Sequence, residues 1–291
     1  MTRRSAGRRL ADRLHGRRRL QVGLLLSGPL AWLGVAYLGS LVVLFVAAFW
    51  HLDDFSGKVV HEYSIENFQT LWNTPVYRTI VVRTVGIAAL VTITDILLAL
   101  PLAFYMAKIA SRRVRGILVV AVLMPLWASY LVKVYAWRTM LAHDGIINWA
   151  LAPFGLHGPG YGFVATWIVF SYLWLPYMIL PVYAGFERIS NSLVDASGDL
   201  GGNPATTFRR VVAPLVMPAV VAGSIFTFSL TLGDYITPQL VSSTQFIGNV
   251  VHANVGVANN LPLAAAFATV PVVVMVVYLL IARRLGAFES L

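Results

Sequence analysis

The chain has 291 residues, 58% of them hydrophobic and 12% charged, with a mean hydropathy of +0.74 and a formal charge of +10. So much apolar surface with so little charge excludes an ordinary soluble domain and predicts a polytopic membrane protein. There is no cysteine, which excludes disulfides, thiolate metal sites and cysteine nucleophiles.

At the N-terminus, Arg3, Arg4, Arg8, Arg9, Arg13, Arg17, Arg18 and Arg19 crowd into a tail ahead of a long apolar run. Arginines in that position set topology and meet anionic lipid, so the positive charge is assigned to the membrane and not to nucleic acid. The run from Val22 to Trp50 is longer than the apolar region of a secretory signal and is read as an uncleaved first membrane helix. Five more segments are long and apolar enough to span: about Thr79 to Ala107, Gly116 to Tyr135, Phe163 to Gly185, Val211 to Leu232 with an extension beyond, and Pro262 to Ile281. Prolines inside them are tolerated where neighbours satisfy the freed carbonyls.

The reading is therefore all-α, with six transmembrane helices. Residues 1–20 form a basic tail and 21–291 a single transmembrane domain, with a polar loop at about 187–214. Seventeen of the 22 Lys and Arg fall on the tail, Lys108 to Arg115, Arg188 to Arg210 and the C-terminus, which places both termini and that loop in the cytoplasm. Outer loops are expected at about His51 to Tyr77, Ala136 to Gly162 and Gln239 to Leu261.

The polar loop has helix grammar. Ser192 with Asp195 three residues later is a capping-box pattern, and Val194, Ala196 and Leu200 continue a short helix that Gly201 and Gly202 stop. Asn203 and Pro204 are an N-cap and first-position pair, opening a second short helix to Arg210 with Arg209 and Arg210 at its negative end. An ordinary amphipathic loop fits this grammar as well as a docking element does.

No G-x-x-x-x-G-K-[ST] occurs, and Gly57-Lys58 is followed by Val59, so the chain has no P-loop of its own. Neither H-E-x-x-H nor G-x-S-x-G is present, and the six histidines are scattered. Enzymatic chemistry is not expected.

Asp195-Ala196-Ser197, Gly201, Val211 and Pro214 resemble the E-A-A-x-x-x-G-x(9)-I-x-L-P signature of permease subunits in bacterial ABC importers. The spacing fits without a gap; the departures are Asp195 for Glu, Ser197 for Ala, Val211 for Ile and Ala213 for Leu. Leu232-Gly233-Asp234-Tyr235-Ile236-Thr237-Pro238, Asn260-Leu261-Pro262-Leu263-Ala264 and Tyr63-Ser64-Ile65-Glu66-Asn67-Phe68 are similar to the spermidine/putrescine group of these permeases.

The resemblance implies the MetI-like permease architecture in a bacterial inner membrane. It also implies a second permease subunit, two ATPase subunits that use ATP and Mg²⁺, and an extracytoplasmic solute-binding protein. This chain would itself bind no cofactor or metal. Asp195, Ala196, Ser197, Gly201, Ala205, Arg209, Val211 and Pro214 would then form the ATPase-coupling loop, with Gly201 permitting a close turn and Ala196 and Ala205 leaving room for the partner. Arg209 and Arg210 suit lipid phosphate equally well.

Ionisable residues inside a membrane are expensive, so Asp95 and Asp234 are the candidates for a substrate path, with Tyr235 beside Asp234 as a cation-π surface. Asp95 also suits an interhelical hydrogen-bond anchor, and Asp234 a cap at a helix break before Pro238. Trp127, Tyr130, Tyr172, Trp174 and Tyr177 are candidate aromatic walls or belt residues. The function expected is permeation of polyamines or related organic cations. Other solutes such as iron or an anion, an ion-coupled secondary carrier using Asp95, and a non-transport scaffold are the alternatives.

Overall fold

The computed structural model describes residues 18–53 and 55–284. The predicted basic tail lies outside the described residues up to residue 17, and helix already begins at Arg18.

The first span consists of α1 (Arg18–Trp32), a π turn at Leu33–Leu38 and α2 (Gly39–Ala47). Leu25, Trp32 and Val35 are largely exposed, as befits a lipid-facing helix at the edge of a bundle. A short hairpin follows, with β1 (His51–Leu52) antiparallel to β2 (Val59–Val60) and His51 opposite Val60. Next, α3 (Glu66–Asn73) returns the chain beneath the end of the first span. There the buried Asn67 donates from Nδ2 to the carbonyls of Ala48 at 3.0 Å and Trp50 at 2.6 Å. Phe49 stacks on Tyr63 with centroids 5.1 Å apart. The Tyr63 to Phe68 stretch thus closes a helix end whose carbonyls have no partner of their own.

The second span, α4 (Pro75–Phe104), is extended by a π turn at Tyr105–Ile109 and starts earlier than predicted because Pro75 serves as its first residue. The predicted third span is not continuous. It divides into α5 (Arg112–Trp127) and α6 (Tyr130–Leu141), set at 95° to each other. Ala128 and Ser129 at the joint are extended, with ψ of 142° and 135°. Pro125 in the last turn of α5 has no N–H for the helix ladder, so the break falls where the helix is weakest.

After α7 (Ile146–Leu151) come the fourth span α8 (Phe163–Arg188) and the loop helix α9 (Asn191–Asp199). The fifth span is α10 (Pro204–Thr207), a π turn at Phe208–Val212 and α11 (Ala213–Gly233). Short helices α12 (Ile236–Val241) and α13 (Ile247–Gly256) then lead to the last span, α14 (Leu261–Arg284). Among the described residues, five helices are long and apolar enough to span, and the bent pair makes a sixth. The stretches predicted as outer loops hold α3, α7, α13 and the second half of α12, each too short for a hydropathy window to register.

The core is the mutual packing of α4, α8 and α11. Met178, Ile179, Val182 and Phe186 of α8 meet Ala99 and Ala103 of α4 and Val216 and Val220 of α11. In a bilayer such contacts depend on close fit, because lipid is as apolar as leucine. A Cβ on Gly185 would stand 2.6 Å from Ala219 Cβ, and one on Gly223 would stand 2.8 Å from Met178 Sδ. These glycines let α8 and α11 touch.

Candidate functional site

The loop between α8 and α11 begins at a helix start that differs from the predicted one. The N-cap of α9 is Ser190, two residues before Ser192, and its side chain caps no backbone N–H. Instead Ser190 Oγ and Ser192 Oγ share a 3.0 Å hydrogen bond. The capping box at Ser192 and Asp195 does not form, because Ser192 already lies inside the first turn.

The glycine stop does form. Leu200 is the C-cap, Gly201 has φ +80°, and the N–H groups of Gly201 and Gly202 donate to Gly198 O at 2.8 Å and Ser197 O at 2.9 Å. That crossed pair is a Schellman closure, which needs a left-handed residue at Gly201. Across the elbow Ser197 Oγ and Thr207 Oγ1 are 2.9 Å apart. A Cβ on Gly202 would stand 2.7 Å from Ser197 O. Asn203 caps the next helix as predicted, its Oδ1 accepting from Thr206 N at 2.8 Å.

The second short helix is not separate. α10 runs on through the π turn into α11, one helix from Pro204 to Gly233, so Arg209 and Arg210 stand inside a helix and not at its negative end. The N–H of Ala213 reaches back to Phe208 O, and the wide turn accommodates Pro214, which has no N–H to give.

Asp195, Ala196, Ala205, Arg209 and Pro214 are exposed, and Ser197 and Val211 are half-buried. Leu200 at the elbow is 90% exposed, an apolar tip at the end of the short helix. A groove of ≈ 550 Å³ is lined by Asn191, Val194, Asp195 and Phe208 together with Phe104 and Lys108 at the end of the second span.

Lys108 Nζ donates to Ile189 O, the C-cap of α8, and to Asn191 Oδ1 at 3.3 Å. Arg115 donates to Met106 O at 2.9 Å and Ala107 O at 3.1 Å, and pairs with Glu187 at 3.4 Å. These two cations join the ends of α4, α5 and α8 to the loop. Their partners are far apart in sequence, so no local pattern announces them.

On the opposite side, Asp234 follows the end of α11. Its Oδ1 accepts from the N–H groups of Ile236 at 2.8 Å and Thr237 at 3.1 Å, and its Oδ2 accepts from the Tyr130 hydroxyl and from Thr237 Oγ1 at 3.0 Å. The carboxylate thus caps the first turn of α12 and ties the break in the fifth span to the start of α6. The Tyr235 ring stacks on His252 at 4.5 Å.

Tyr130 stacks on Trp174 at 6.0 Å, and Trp174 meets Tyr177 at 6.0 Å, which makes one aromatic wall of three predicted residues. Tyr172 pairs with Trp137 at 5.4 Å, and Trp127 is 90% exposed, so these stand apart from that wall. Asp95 is fully buried in α4, and neither of its carboxyl oxygens has a hydrogen-bond partner.

Residues 88–287 match the family described as "Binding-protein-dependent transport system inner membrane component". The chain belongs to this family. It is a multi-pass inner-membrane permease subunit of an ABC importer.

The permease is 46% identical over 284 residues to the inner membrane ABC transporter permease protein YdcU of Escherichia coli K12, covering 92% of this chain and 90% of the relative. It is 32% identical over 209 residues to the spermidine/putrescine transport system permease protein PotB of Haemophilus influenzae, covering 70% and 72%. The fold matches a crystal structure of a bacterial ABC transporter that imports the acidic polysaccharide alginate. That match has a TM-score of 0.74 over 95% of this chain and 97% of the other, at 16% identity. A second match, TM-score 0.71 and 15% identity over 92% and 94%, is to a bacterial alginate ABC transporter in complex with its alginate pentasaccharide-bound periplasmic protein.

Proposed function

We propose that this permease carries polyamines or related organic cations, driven by separate ATPase subunits seated on the loop from Ile189 to Asn203. The observation that carries the coupling role is the mechanical continuity of the loop. The short helix α9 closes on a Schellman elbow, and the chain then enters a single helix that reaches Gly233 without a joint. A rigid partner that displaces α9 would move the fifth span as one body. Asp195, Ala196, Ser197, Gly201, Ala205, Arg209, Val211 and Pro214 form or border that lever, and the exposed Leu200 gives the partner an apolar contact.

In this reading the ATPases hydrolyse ATP with Mg²⁺, a second permease subunit completes the pathway and an extracytoplasmic binding protein delivers solute. Both termini face the cytoplasm, in keeping with the Lys and Arg distribution. The organic-cation class is supported by the name of the PotB relative, by the carboxylate of Asp234 and by the adjoining aromatic wall of Tyr130, Trp174 and Tyr177. Carboxylate and aromatic faces together suit ammonium groups by charge and cation-π attraction.

The test is uptake of labelled spermidine and putrescine by the full complex in proteoliposomes. Import should require ATP inside and binding protein outside, and should persist when ion gradients are collapsed. Uptake by the permease alone under a proton gradient would replace this reading with the secondary-carrier alternative.

A further inference from the structure

Among the described residues, five buried side-chain polar atoms have no hydrogen-bond partner, and four of them are the two Asp95 carboxyl oxygens, Ser171 Oγ and Trp174 Nε1. The fifth, His51 Nδ1, belongs to the hairpin. The four lie on two packed helices, Asp95 on α4 and Ser171 and Trp174 on α8. Ser171 is the polar side chain that bears on the Asp95 carboxyl. Trp174 follows Ser171 by three residues, about 4.5 Å further along the same helix.

Neighbouring polar groups are treated differently. Thr92 and Thr94 donate to the carbonyls of Ala88 at 2.7 Å and Leu90 at 2.8 Å, and Ser224 donates to Val221 O at 2.7 Å. Trp167 Nε1 finds Thr94 Oγ1 at 3.0 Å. The bundle therefore satisfies its buried hydroxyls and one indole locally, yet leaves a carboxyl, a hydroxyl and an indole without partners. Unpaired polar groups at membrane depth are costly and mark pathways by default. Trp174 also stacks on Tyr130, whose hydroxyl binds Asp234. Asp95 faces Ser171, and one turn further along α8 Trp174 leads by way of Tyr130 to Asp234.

We propose that Asp95, Ser171 and Trp174 form a second ammonium-binding station within the membrane, one that closes when α4 packs on α8 and takes a cationic group when the two helices part. Asp234 is the first station, and the Tyr130 and Trp174 rings line the passage between them. A cation with several separated amines would engage both carboxylates in turn. This deepens the organic-cation reading and rests on it for the identity of the solute. The station itself needs only a positively charged ligand.

The chain's lack of cysteine supplies a test independent of the solute. Ser171→Cys in the full complex introduces a single thiol into this chain, and its modification is read by mass spectrometry of the chain. A cationic aminoethyl methanethiosulfonate and its anionic sulfonate counterpart are applied at rest and during ATP turnover with binding protein. Labelling is expected to rise during turnover, with the cationic reagent favoured roughly tenfold, as a carboxylate-lined cleft should. Adding Asp95→Asn should remove that preference. Thiol that stays unlabelled in both conditions, or a cationic preference that survives Asp95→Asn, overturns the station, even if the complex imports polyamines. An Asp95-dependent preference in a complex that imports no polyamine keeps the station and refutes the solute class instead.

Discussion

The elbow at Gly201 allows a prediction whose rank order follows from backbone geometry alone. Gly201 has φ +80°, and its N–H donates to Gly198 O at 2.8 Å. No side chain crowds it, since nothing lies within 4 Å of an added Cβ, so a substitution there acts through backbone conformation. An L-residue held in the left-handed region costs roughly 1–2 kcal/mol, equivalent to a factor of about 5–30 in the elbow population. Asn tolerates that region better than other side chains. Proline cannot enter it, because its ring holds φ near −65°, and it would also lose the bond to Gly198 O, worth about 1 kcal/mol. Transport and solute-stimulated ATP hydrolysis should therefore fall in the order Gly, Asn, Ala, Pro, with Gly201→Pro inactive yet still inserted in the membrane. Both activities are measured on the reconstituted complex, and insertion by its level in membranes. Wild-type uptake in Gly201→Pro, or an Asn variant worse than Ala, would refute the lever.

Gly223→Val should separate α8 from α11, since even a Cβ there would stand 2.8 Å from Met178 Sδ; a loss of about 1–3 kcal/mol is expected and would appear as a lower melting temperature in detergent. Asn67→Ala leaves the Ala48 and Trp50 carbonyls without their side-chain donor, at about 1–3 kcal/mol, and limited proteolysis should then cut sooner between the first span and α3. Asp234→Asn keeps an acceptor for the Ile236 and Thr237 N–H groups but removes the charge; uptake of an organic cation should drop about tenfold or more, as loss of a charge-assisted contact implies, while co-purification with the ATPase is unchanged.

The apolar spans and the glycine elbow were legible because each depends on residues near in sequence: long hydrophobic runs, a left-handed glycine and an Asn-Pro helix start. The break in the third span was written at Pro125, but hydropathy averages across a bend and treats Gly116 to Tyr135 as one rod. The start of α9 was misplaced by two residues because Ser190 and Ser192 offer the same side chain, and local pattern does not choose between them. Continuity of α10 with α11 was hidden for a different reason. The apolar run begins only at Val211, after Arg209 and Arg210, so the sequence divides at the point where the π turn at Phe208–Val212 carries one helix through. The links from Lys108 to Ile189 and from Asp234 to Tyr130 join residues 81 and 104 positions apart. Each side chain was noticeable alone, but the pairings arise only when the spans pack.

Those long-range links bear on how a push at the loop would reach the membrane interior. Displacement of α9 acts on α11 directly, through the continuous helix, and on α4 through Lys108, which holds both Ile189 O and Asn191. It acts on α8 through the short Ile189-Ser190 connection, and the pair of Arg115 and Glu187 ties α5 to that same end of α8. The three helices that receive the load are those whose buried faces carry Thr92 and Asp95, Ser171, and Thr227. Thr227 and Thr92 face each other at 3.5 Å, the outer limit of a hydrogen bond, so the polar tie between α4 and α11 one turn from Asp95 is weak. A lever that moves α11 as one body while α4 is held to the loop by Lys108 would shift these buried faces past one another at the level of Asp95.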